Sequence, residues 1–386
     1  MAAFVNSSVA GGATNNDSAV YGASLRSAVA AYKRGLTTRP IVITGLGDSN
    51  LAGQGNGSGS GTVPAYTDAF GYTPMQQMAA QAPTLAGLPV RTTAWFGDSN
   101  ANILSTPVME YNPKMTLGTG WNRTGFGGHL FGMFIAADAA AAGYFTYSFG
   151  SPITNVETYA IVNNTNSNSV GVYNSDNVLQ GTFNTNNAVS SATKFTITGS
   201  FPDGIVKLRN LDASRTFYMM GQLAWNSAEK SIIVTTNAYA GSLVANYTQT
   251  SNIWDGMSFF PSLAPSATIV ALTINDINGG TSSSSYTTSL TYILDFVGRY
   301  GTPIVSTGGN GSTAAWTNGQ SDTIELAARK LAGAYGAQFV SMHKEWGSWA
   351  ATNALGYEFD ALHRTRLGSR DQGRVYKDVL RAMLGT

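Results

Sequence analysis

Short apolar runs recur along the chain and predict the strands of a sheet. The first covers residues 40–44 and reads Pro-Ile-Val-Ile-Thr, with glycine following. A run that is apolar at successive positions and rich in β-branched residues is typical of a strand buried on both faces of a parallel sheet. Similar runs predict further strands at residues 231–236, 267–274, 302–306 and 337–342.

Apolar residues at helical spacing separate the later runs. This spacing predicts helices at residues 290–300 and 323–335, and an earlier helix at 24–33. A last helix, 371–384, is expected to begin at Asp371, because aspartate is a favourable N-cap. Strands that alternate with helices of this length indicate an α/β fold with a parallel sheet.

The middle of the chain has a different pattern. Short alternating segments follow one another, separated by Asn/Ser/Gly clusters such as 163–166 and 184–187, and no helical pattern is evident. Several short strands at this spacing predict a β-sandwich, inserted between the first and second strands of the parallel sheet. We therefore expect a discontinuous domain, residues 1–116 and 230–386, and an inserted sandwich domain, residues 117–229.

Composition narrows the possible partners. Of the 386 residues, 43% are hydrophobic, which is ample for a core, and only 11% are charged, less than half the usual share. The formal net charge of +1 gives no electrostatic reason to expect nucleic acid as a partner. A surface rich in Asn, Ser, Thr and Gly instead suggests an extracellular or virion-associated protein, although no signal peptide is visible.

Several kinds of chemistry find no support in the sequence. The chain has no cysteine, which removes disulfides, thiolate nucleophiles and cysteine-based zinc sites. No apolar stretch approaches the roughly 20 residues of a membrane span. The sequence has no Gly-x-Ser-x-Gly elbow, no phosphate-binding Walker motif and no His-Glu-x-x-His. We expect neither a metal nor an organic cofactor, and the oligomeric state is left open.

Two short motifs carry the candidate chemistry. Gly47-Asp48-Ser49-Asn50 directly follows the first predicted strand, and Asp360-Ala361-Leu362-His363 lies near the C-terminus. A serine on a sharp turn after a buried strand is well placed as a nucleophile. An aspartate three residues before a histidine can orient the imidazole from the same turn. Together they predict a relay of Ser49, His363 and Asp360.

Further candidates follow other predicted strands. Asn275 and Asp276 follow the run that ends at residue 274, and Gly241 follows the run at 231–236. Ligands of open parallel sheets bind at the carboxyl ends of the strands, so these residues are expected near Ser49. A glycine N–H and an asparagine amide are suitable donors for an oxyanion hole. Asp276 is a candidate metal ligand or acid, or a carboxylate bonded to loop amides.

These blocks, in this order, resemble the SGNH (GDSL-type) hydrolase family. Block one is similar to residues 47–49, the glycine block to 237–241, the asparagine block to 275–276 and the last block to 360–363. The resemblance implies a flavodoxin-like three-layer α/β/α hydrolase fold. The inserted segment resembles the galactose-binding-type sandwich of some members.

The resemblance also implies roles for individual residues. Ser49 is implied as the nucleophile, His363 as the base and Asp360 as its orienting partner. The backbone amides of Ser49 and Gly241, with the Asn275 side chain, are implied as the oxyanion hole. The chain departs from the family at Thr273, where a glycine is usual, and at Asn50, where leucine or isoleucine is usual. Its glycine block is also one residue short. Gly97 is the alternative oxyanion glycine if residues 91–96 form the second strand.

The motif Gly-Asp-Ser-Asn occurs twice. Its second copy, residues 97–100, makes Ser99 an alternative nucleophile, although the preceding strand signal is weaker. Of the three histidines, His129 falls in the predicted insertion and His343 at the end of the last predicted strand. Without a carboxylate at fixed spacing, these two are interpreted as structural or solvent-facing.

The expected function is that of a serine esterase acting on short-chain acyl esters, in particular O-acetyl groups on a carbohydrate. The substrate is a small-molecule or polysaccharide ester. The alternatives are a lipid or aryl esterase and a non-catalytic glycan-binding or virion adhesion protein. Aromatic residues of the insertion are candidates for sugar stacking or for sandwich core: Tyr173, Phe183, Phe195, Phe201, Tyr218 and Trp225.

Overall fold

A computed structural model describes most of the chain. The described residues are 20–53, 73–96, 99–100, 114–125, 133–139, 141–248, 257–313, 316 and 319–386. Their strands are β1 Ile41–Gly47, β2 Thr84–Leu85, β3 Leu88–Arg91, β4 Ala94–Phe96, β5 Ser99–Asn100, β6 Met115–Leu117, β7 Trp121–Gly125, β8 Met133–Ala137, β9 Phe145–Ser148, β10 Ile153–Val162, β11 Val170–Tyr173, β12 Leu179–Phe183, β13 Ser191–Phe201, β14 Ile205–Asn210, β15 Phe217–Trp225, β16 Ile232–Ala240, β17 Ala267–Ala271, β18 Thr302–Thr307 and β19 Gln338–Ser341. Their α-helices are α1 Ala23–Lys33, α2 Pro74–Gln81, α3 Phe260–Leu263, α4 Ile274–Asn278, α5 Ser283–Val297, α6 Gln320–Ala334, α7 Met342–Trp346, α8 Trp349–Ala354 and α9 Arg366–Leu384.

The largest sheet is mostly parallel. Its strand order is β19-β18-β17-β1-β16-β3-β2, and β5 pairs with β16. Every pairing is parallel except that of β2 with β3. The register aligns Gly47 with Ala238 of β16 and with Ala271 of β17. The carboxyl ends of these three strands therefore lie side by side, and the predicted α/β class is confirmed.

Helices pack on both faces of this sheet. Ile41 and Ile43 of β1 belong to one cluster with α1, α2 and α9, whereas Leu46 belongs to another with α5 and α6. The alternation follows from the two-residue side-chain period of a strand. A strand covered on both faces needs apolar residues at successive positions, which explains why β1 is buried throughout.

Apart from β5, the described strands between β3 and β16 form two antiparallel sheets. Their strand orders are β13-β10-β15-β8-β7, with β4 paired to β15, and β12-β11-β14-β9-β6. Because β3 is parallel to β16, these sheets follow the second parallel strand along the chain and not the first, as the sequence predicted. Side chains from both sheets form one buried cluster that includes Phe145, Val206 and Phe217. Along β14, half-buried and buried residues alternate, as expected of a strand with one face toward a core.

The antiparallel sheets pack against the parallel sheet. Tyr159 and Leu223 share a buried cluster with Val42 of β1 and Ile233 of β16. Nearby, Arg39 precedes β1 and makes two hydrogen bonds to the Glu157 carboxylate of β10, at 2.8 and 2.9 Å. An apolar contact and an ion pair therefore join the two regions.

Several predicted boundaries differ from the structure. The run at 267–274 leaves the strand after Ala271, because Ile274 begins helix α4 while staying buried. Continued burial hides this change of backbone direction from a hydropathy pattern. The last helix begins at Arg366 rather than 371, since Thr365 caps it by accepting the Gly368 N–H. His343 lies in α7, not at the end of a strand.

Other elements were missed from the sequence. Helix α2, capped by Thr73, and the β2–β3 hairpin were not predicted. Strand β4 lies in the predicted alternative second strand, residues 91–96, but pairs with β15 of an antiparallel sheet instead. Its Trp95 and Phe96 enter different buried clusters. These short elements have too few residues for a periodic signal.

Candidate active site

Ser49 lies on a tight turn at the carboxyl end of β1. The Asp48 carboxylate accepts a hydrogen bond from the Asn50 backbone N–H at 3.0 Å. The Asp48 backbone carbonyl accepts one from the Ala52 N–H, also at 3.0 Å. A Cβ at residue 47 would lie 2.5 Å from the Leu51 side chain, so only glycine fits there. Ser49 is 2% exposed. The Gly-Asp-Ser-Asn sequence thus builds the turn that holds the hydroxyl in place.

Asp360 and His363 lie on one short turn, as their spacing predicts. One oxygen of the Asp360 carboxylate accepts the backbone N–H groups of Leu362 and His363, both at 2.8 Å. The other oxygen lies 2.8 Å from His363 Nδ1. A carboxylate can only accept, so the neutral ring carries its proton on Nδ1 and presents Nε2 as an acceptor.

Tertiary structure brings this turn to Ser49. His363 Nε2 lies 3.1 Å from Ser49 Oγ, across 314 positions of the chain. Beside it, Asn50 Nδ2 donates to the Leu362 carbonyl at 3.2 Å. In the sequence Asn50 was noted as part of the motif and as a departure from the family pattern, but its role in joining the two turns was missed. The geometry allows His363 to accept the Ser49 hydroxyl proton.

The carboxyl groups near Ser49 differ in the direction of their pKa shifts. Burial by itself raises the pKa of Asp360, but hydrogen bonds from His363 and Leu362 outweigh it and lower the pKa to about 2. Asp360 is therefore ionised at neutral pH. Burial raises the pKa of Asp48 to about 6, and the Asn50 N–H bond opposes only part of this rise. Burial likewise raises the pKa of Asp276 to about 6.

The candidate oxyanion segments are tied to each other. Asn275 lies in the first turn of α4, and its Nδ2 donates to the Ser242 carbonyl at 3.0 Å. Gly241 directly follows β16 and has a φ of 81°, a left-handed conformation that favours glycine. The buried Asp276 carboxylate accepts the Val244 N–H at 2.9 Å. Of the three roles that the sequence left open for Asp276, this contact matches that of a carboxylate bonded to loop amides.

The remaining candidates are distributed differently. Ser99 lies in β5, which pairs with Tyr239 and Ala240 at the end of β16, so the second motif also reaches this edge of the sheet. His343 Nε2 lies 3.5 Å from Asp322. Gly97 and His129 lie outside the described residues.

Most aromatic residues proposed for sugar stacking are core residues. Phe183, Phe201 and Trp225 are buried. Phe195 stacks on Phe183 with ring centroids 4.6 Å apart, while Tyr173 is half-buried. Within the described ranges, no group of three or more His, Asp or Glu residues is arranged to hold a metal ion. No helix in this part of the chain is long and apolar enough to cross a membrane.

Comparison with known proteins shows a likeness in structure alone. No family model matches the sequence, and no curated protein matches it. A solved structure described as "Peptidoglycan O-acetylesterase in action, 5 min" aligns with a TM-score of 0.64 and 13% identity, covering 95% of this chain and 98% of that one. The chain therefore shares a fold with that protein over nearly its whole length.

A second alignment is weaker. A family two carbohydrate esterase from Clostridium thermocellum, in complex with cellohexaose, aligns with a TM-score of 0.32 and 12% identity, covering 70% of this chain and 99% of that one. A TM-score this low does not establish a shared fold.

Proposed function

We propose that the chain is a serine esterase of the SGNH type that removes short acyl groups, in particular O-acetyl groups, from a carbohydrate. The observation that carries the proposal is the line of three side chains, with 3.1 Å between Ser49 Oγ and His363 Nε2 and 2.8 Å between His363 Nδ1 and Asp360. A buried hydroxyl within reach of an imidazole that a carboxylate orients is the geometry of an activated nucleophile.

The proposed reaction has two halves. Ser49 Oγ attacks the ester carbonyl carbon while its proton passes to His363 Nε2, and the carbonyl electrons move to the oxygen. The tetrahedral intermediate collapses, the bond to the alcohol breaks, and His363 returns the proton to the departing oxygen. Water then attacks the acyl-enzyme with His363 as base, which releases the acid and restores Ser49. The reaction needs no cofactor.

We propose the Ser49 and Gly241 backbone N–H groups and the Asn275 side chain as oxyanion donors. An asparagine amide has two hydrogens, and one of Asn275 is bonded to the Ser242 carbonyl. The second hydrogen remains for a substrate oxygen. That bond to Ser242 also orients the Asn275 amide before substrate arrives, which is what makes such donors effective.

The finer architecture belongs to the same proposal. We take the parallel sheet with its helices as a three-layer SGNH domain, residues 1–116 and 230–386, and residues 117–229 as an inserted β-sandwich. The shared core of the two antiparallel sheets supports this division, while the pairing of β4 with β15 favours a boundary nearer residue 94. An extracellular or virion-associated location remains part of the proposal.

The carbohydrate substrate is proposed by analogy. The solved structure with the TM-score of 0.64 is described as a peptidoglycan O-acetylesterase, and a fold alone does not determine a substrate. Acetate release from O-acetylated peptidoglycan and from acetylated xylan tests this part directly.

The decisive experiment compares wild type, Ser49→Ala and Ser99→Ala on p-nitrophenyl acetate, butyrate and octanoate. We expect hydrolysis to be fastest with acetate. The rate should fall by about 10⁴- to 10⁶-fold in Ser49→Ala, since loss of a triad serine has this order of effect. Ser99→Ala is the matched control from the second copy of the motif and should keep wild-type activity.

Other outcomes point elsewhere. Full activity in Ser49→Ala would refute the proposed nucleophile. A preference for octanoate would favour a lipid esterase. No hydrolysis of any ester, together with equal binding of acetylated and deacetylated glycan, would favour a non-catalytic binding protein.

A further inference from the structure

The turn that carries Asp360 and His363 is the tip of a small hairpin, residues 357–365. Glu358 and Arg364 form an antiparallel bridge at its base. Above the bridge, the Phe359 N–H donates to the His363 carbonyl at 2.9 Å. The Asp360 side chain at the tip is 41% exposed. The Asp360 carboxylate is thus partly exposed, and the tip is held by hydrogen bonds from Asn50 and Ser312 together with the base of the hairpin.

A buried ion pair holds the base. The side chains of Glu358 and Arg364, the same two residues that form the backbone bridge, are paired and only 1% exposed each. The Arg364 guanidinium also donates to the Asn310 carbonyl at 3.0 Å and lies 5.2 Å from the centre of the Trp346 ring. Glu358 accepts a hydrogen bond from Thr352. Arg364 thus contacts two separate segments besides its own hairpin, one at Asn310 and one at Trp346.

The surrounding chain is shaped to admit this arginine. A Cβ at Gly309 would lie 2.4 Å from the Trp346 ring and 2.6 Å from Arg364 Nη2, so a side chain there would displace the guanidinium. Three residues further on, the Ser312 N–H donates to the Ala361 carbonyl at 3.0 Å. The loop after β18 therefore holds both the base and the tip of the hairpin.

Stability alone is a poor explanation for this pair. Desolvating two charges is costly, and well-packed apolar residues of similar volume often stabilise a protein equally well. What the planar guanidinium adds is a fixed geometry, because one nitrogen pairs with Glu358 while another donates to the Asn310 carbonyl. The positive charge also acts on the nucleophile turn, because Arg364 favours the ionised form of the buried Asp48.

We infer that Arg364 and Glu358 are positioning residues that hold His363 within hydrogen-bonding distance of Ser49. This inference rests on the proposed function, in which His363 is the base and Ser49 the nucleophile. The pair touches neither reacting atom. Its effect is transmitted through the backbone of the hairpin, in which Arg364 directly follows His363.

The kinetic test compares two isosteric substitutions, Glu358→Gln and Glu157→Gln. Glu157 is the matched control, because it is also a buried carboxylate bonded to an arginine, Arg39, but lies on β10. We expect Glu358→Gln to lower kcat on p-nitrophenyl acetate by about 10- to 100-fold, with KM within about twofold, because a base displaced by about 1 Å has an effect of this size. Glu157→Gln should keep the wild-type kcat. An unchanged kcat in Glu358→Gln, or an equal fall in both, would overturn the inference.

A spectroscopic test does not depend on turnover. The chain has only three histidines, so histidine-selective ¹⁵N labelling can resolve the His363 ring N–H that is bonded to Asp360. We expect this signal to be weakened by faster exchange in Glu358→Gln and preserved in Glu157→Gln. The signal of His343 serves as an internal reference. A His363 signal unchanged in Glu358→Gln would contradict the positioning role, even if the wild type hydrolysed no ester.

Arg364→Lys provides a second variant in case Glu358→Gln does not fold. Lysine keeps the charge but loses the planar contact with Trp346 and the fixed fork. We expect a partial effect, a fall in kcat of about 3- to 10-fold with the His363 signal retained but weakened. Wild-type kcat together with a wild-type signal would count against the inference. The absence of activity in wild type itself, with an intact His363 signal, would instead refute the proposed function.

Discussion

The parallel sheet and the antiparallel sheets bury different kinds of side chain. The cluster shared by the antiparallel sheets is apolar and rich in aromatic residues, among them Phe145 and Phe217, both 0% exposed. At the carboxyl edge of the parallel sheet, by contrast, charged groups are buried, including Asp48, Asp276 and Arg364. Buried charge destabilises a protein unless it is paired. Under the proposed function, one region mainly contributes stability, while the other holds the arrangement that the reaction requires.

The junction between the antiparallel sheets and the parallel sheet is an exception to this contrast. Among the described residues of the antiparallel sheets, one carboxylate is buried, that of Glu157. It is bonded to Arg39, just before the first strand of the parallel sheet, and to Lys194. Burial raises its pKa, but hydrogen bonds from Arg39 outweigh burial and the pKa is lowered. The Asn50 N–H and the Arg364 charge offset only part of the effect of burial on Asp48, and its pKa is raised to about 6. A carboxylate that joins two sheets is thus fully paired, whereas the one beside Ser49 is not.

After Ser49→Ala, the largest expected effect is that of Asp360→Asn, which separates activity from stability. Asp360→Asn should lower kcat/KM on p-nitrophenyl acetate by about 10³- to 10⁴-fold, because loss of the orienting carboxylate permits the wrong imidazole tautomer. The midpoint of thermal unfolding should change little, since the Asp360 side chain is 41% exposed. Asp322→Asn, beside His343, is the matched control and should leave both quantities unchanged. Activity above a tenth of wild type in Asp360→Asn would contradict its role.

The converse effect is expected in the antiparallel core. Phe217→Ala should lower the free energy of unfolding by about 3–5 kcal/mol, the usual cost of removing a buried phenylalanine. The Phe217 ring packs against Trp121 and Phe183, with centroids 5.9 and 5.8 Å away. Urea unfolding measures the loss, with the half-exposed Leu179→Ala as a control expected to change less than about 1 kcal/mol. Folded Phe217→Ala should hydrolyse p-nitrophenyl acetate within about twofold of the wild-type rate. A large fall in that rate would show that the two regions are not functionally separate.

The smallest expected effect is that of removing the buried Asp48 charge, which destabilises the folded protein. The folded pKa of Asp48, about 6, lies above its ordinary value of 3.8. The stability contributed by its protonated form is therefore complete below about pH 4 and is lost as the pH rises through 6. This difference of about two between the folded and ordinary pKa values corresponds to about 2–3 kcal/mol of folding stability at most. Asp48→Asn should consequently raise the free energy of unfolding, relative to wild type, more at pH 8 than at pH 5. An equal difference at the two pH values, measured by urea unfolding, would show that Asp48 is not the group responsible.

Local relations in the chain were predictable. The spacing of Asp360 and His363 is enough to place both on one turn, because the carboxylate can reach backbone N–H groups two and three residues ahead. The strand before Ser49 was predicted for a similar reason, since burial on both faces requires a continuous apolar run. The strand ending at Ala271 was predicted too long, because Leu272 and Ile274 remain buried after the backbone has turned.

Relations over long distances required the tertiary structure. By itself the sequence determined which residue types were available, the turn-forming Gly-Asp-Ser-Asn motif and the Asp-x-x-His pair, because hydrogen bonds over two to four residues depend only on local geometry. Only the folded chain decided that His363 meets Ser49 and that Asn50 reaches Leu362. It also decided that Arg364 is buried against Glu358, Asn310 and Trp346. These contacts depend on strand order and register, which align the ends of distant strands at one edge of the sheet, and no local pattern encodes that alignment.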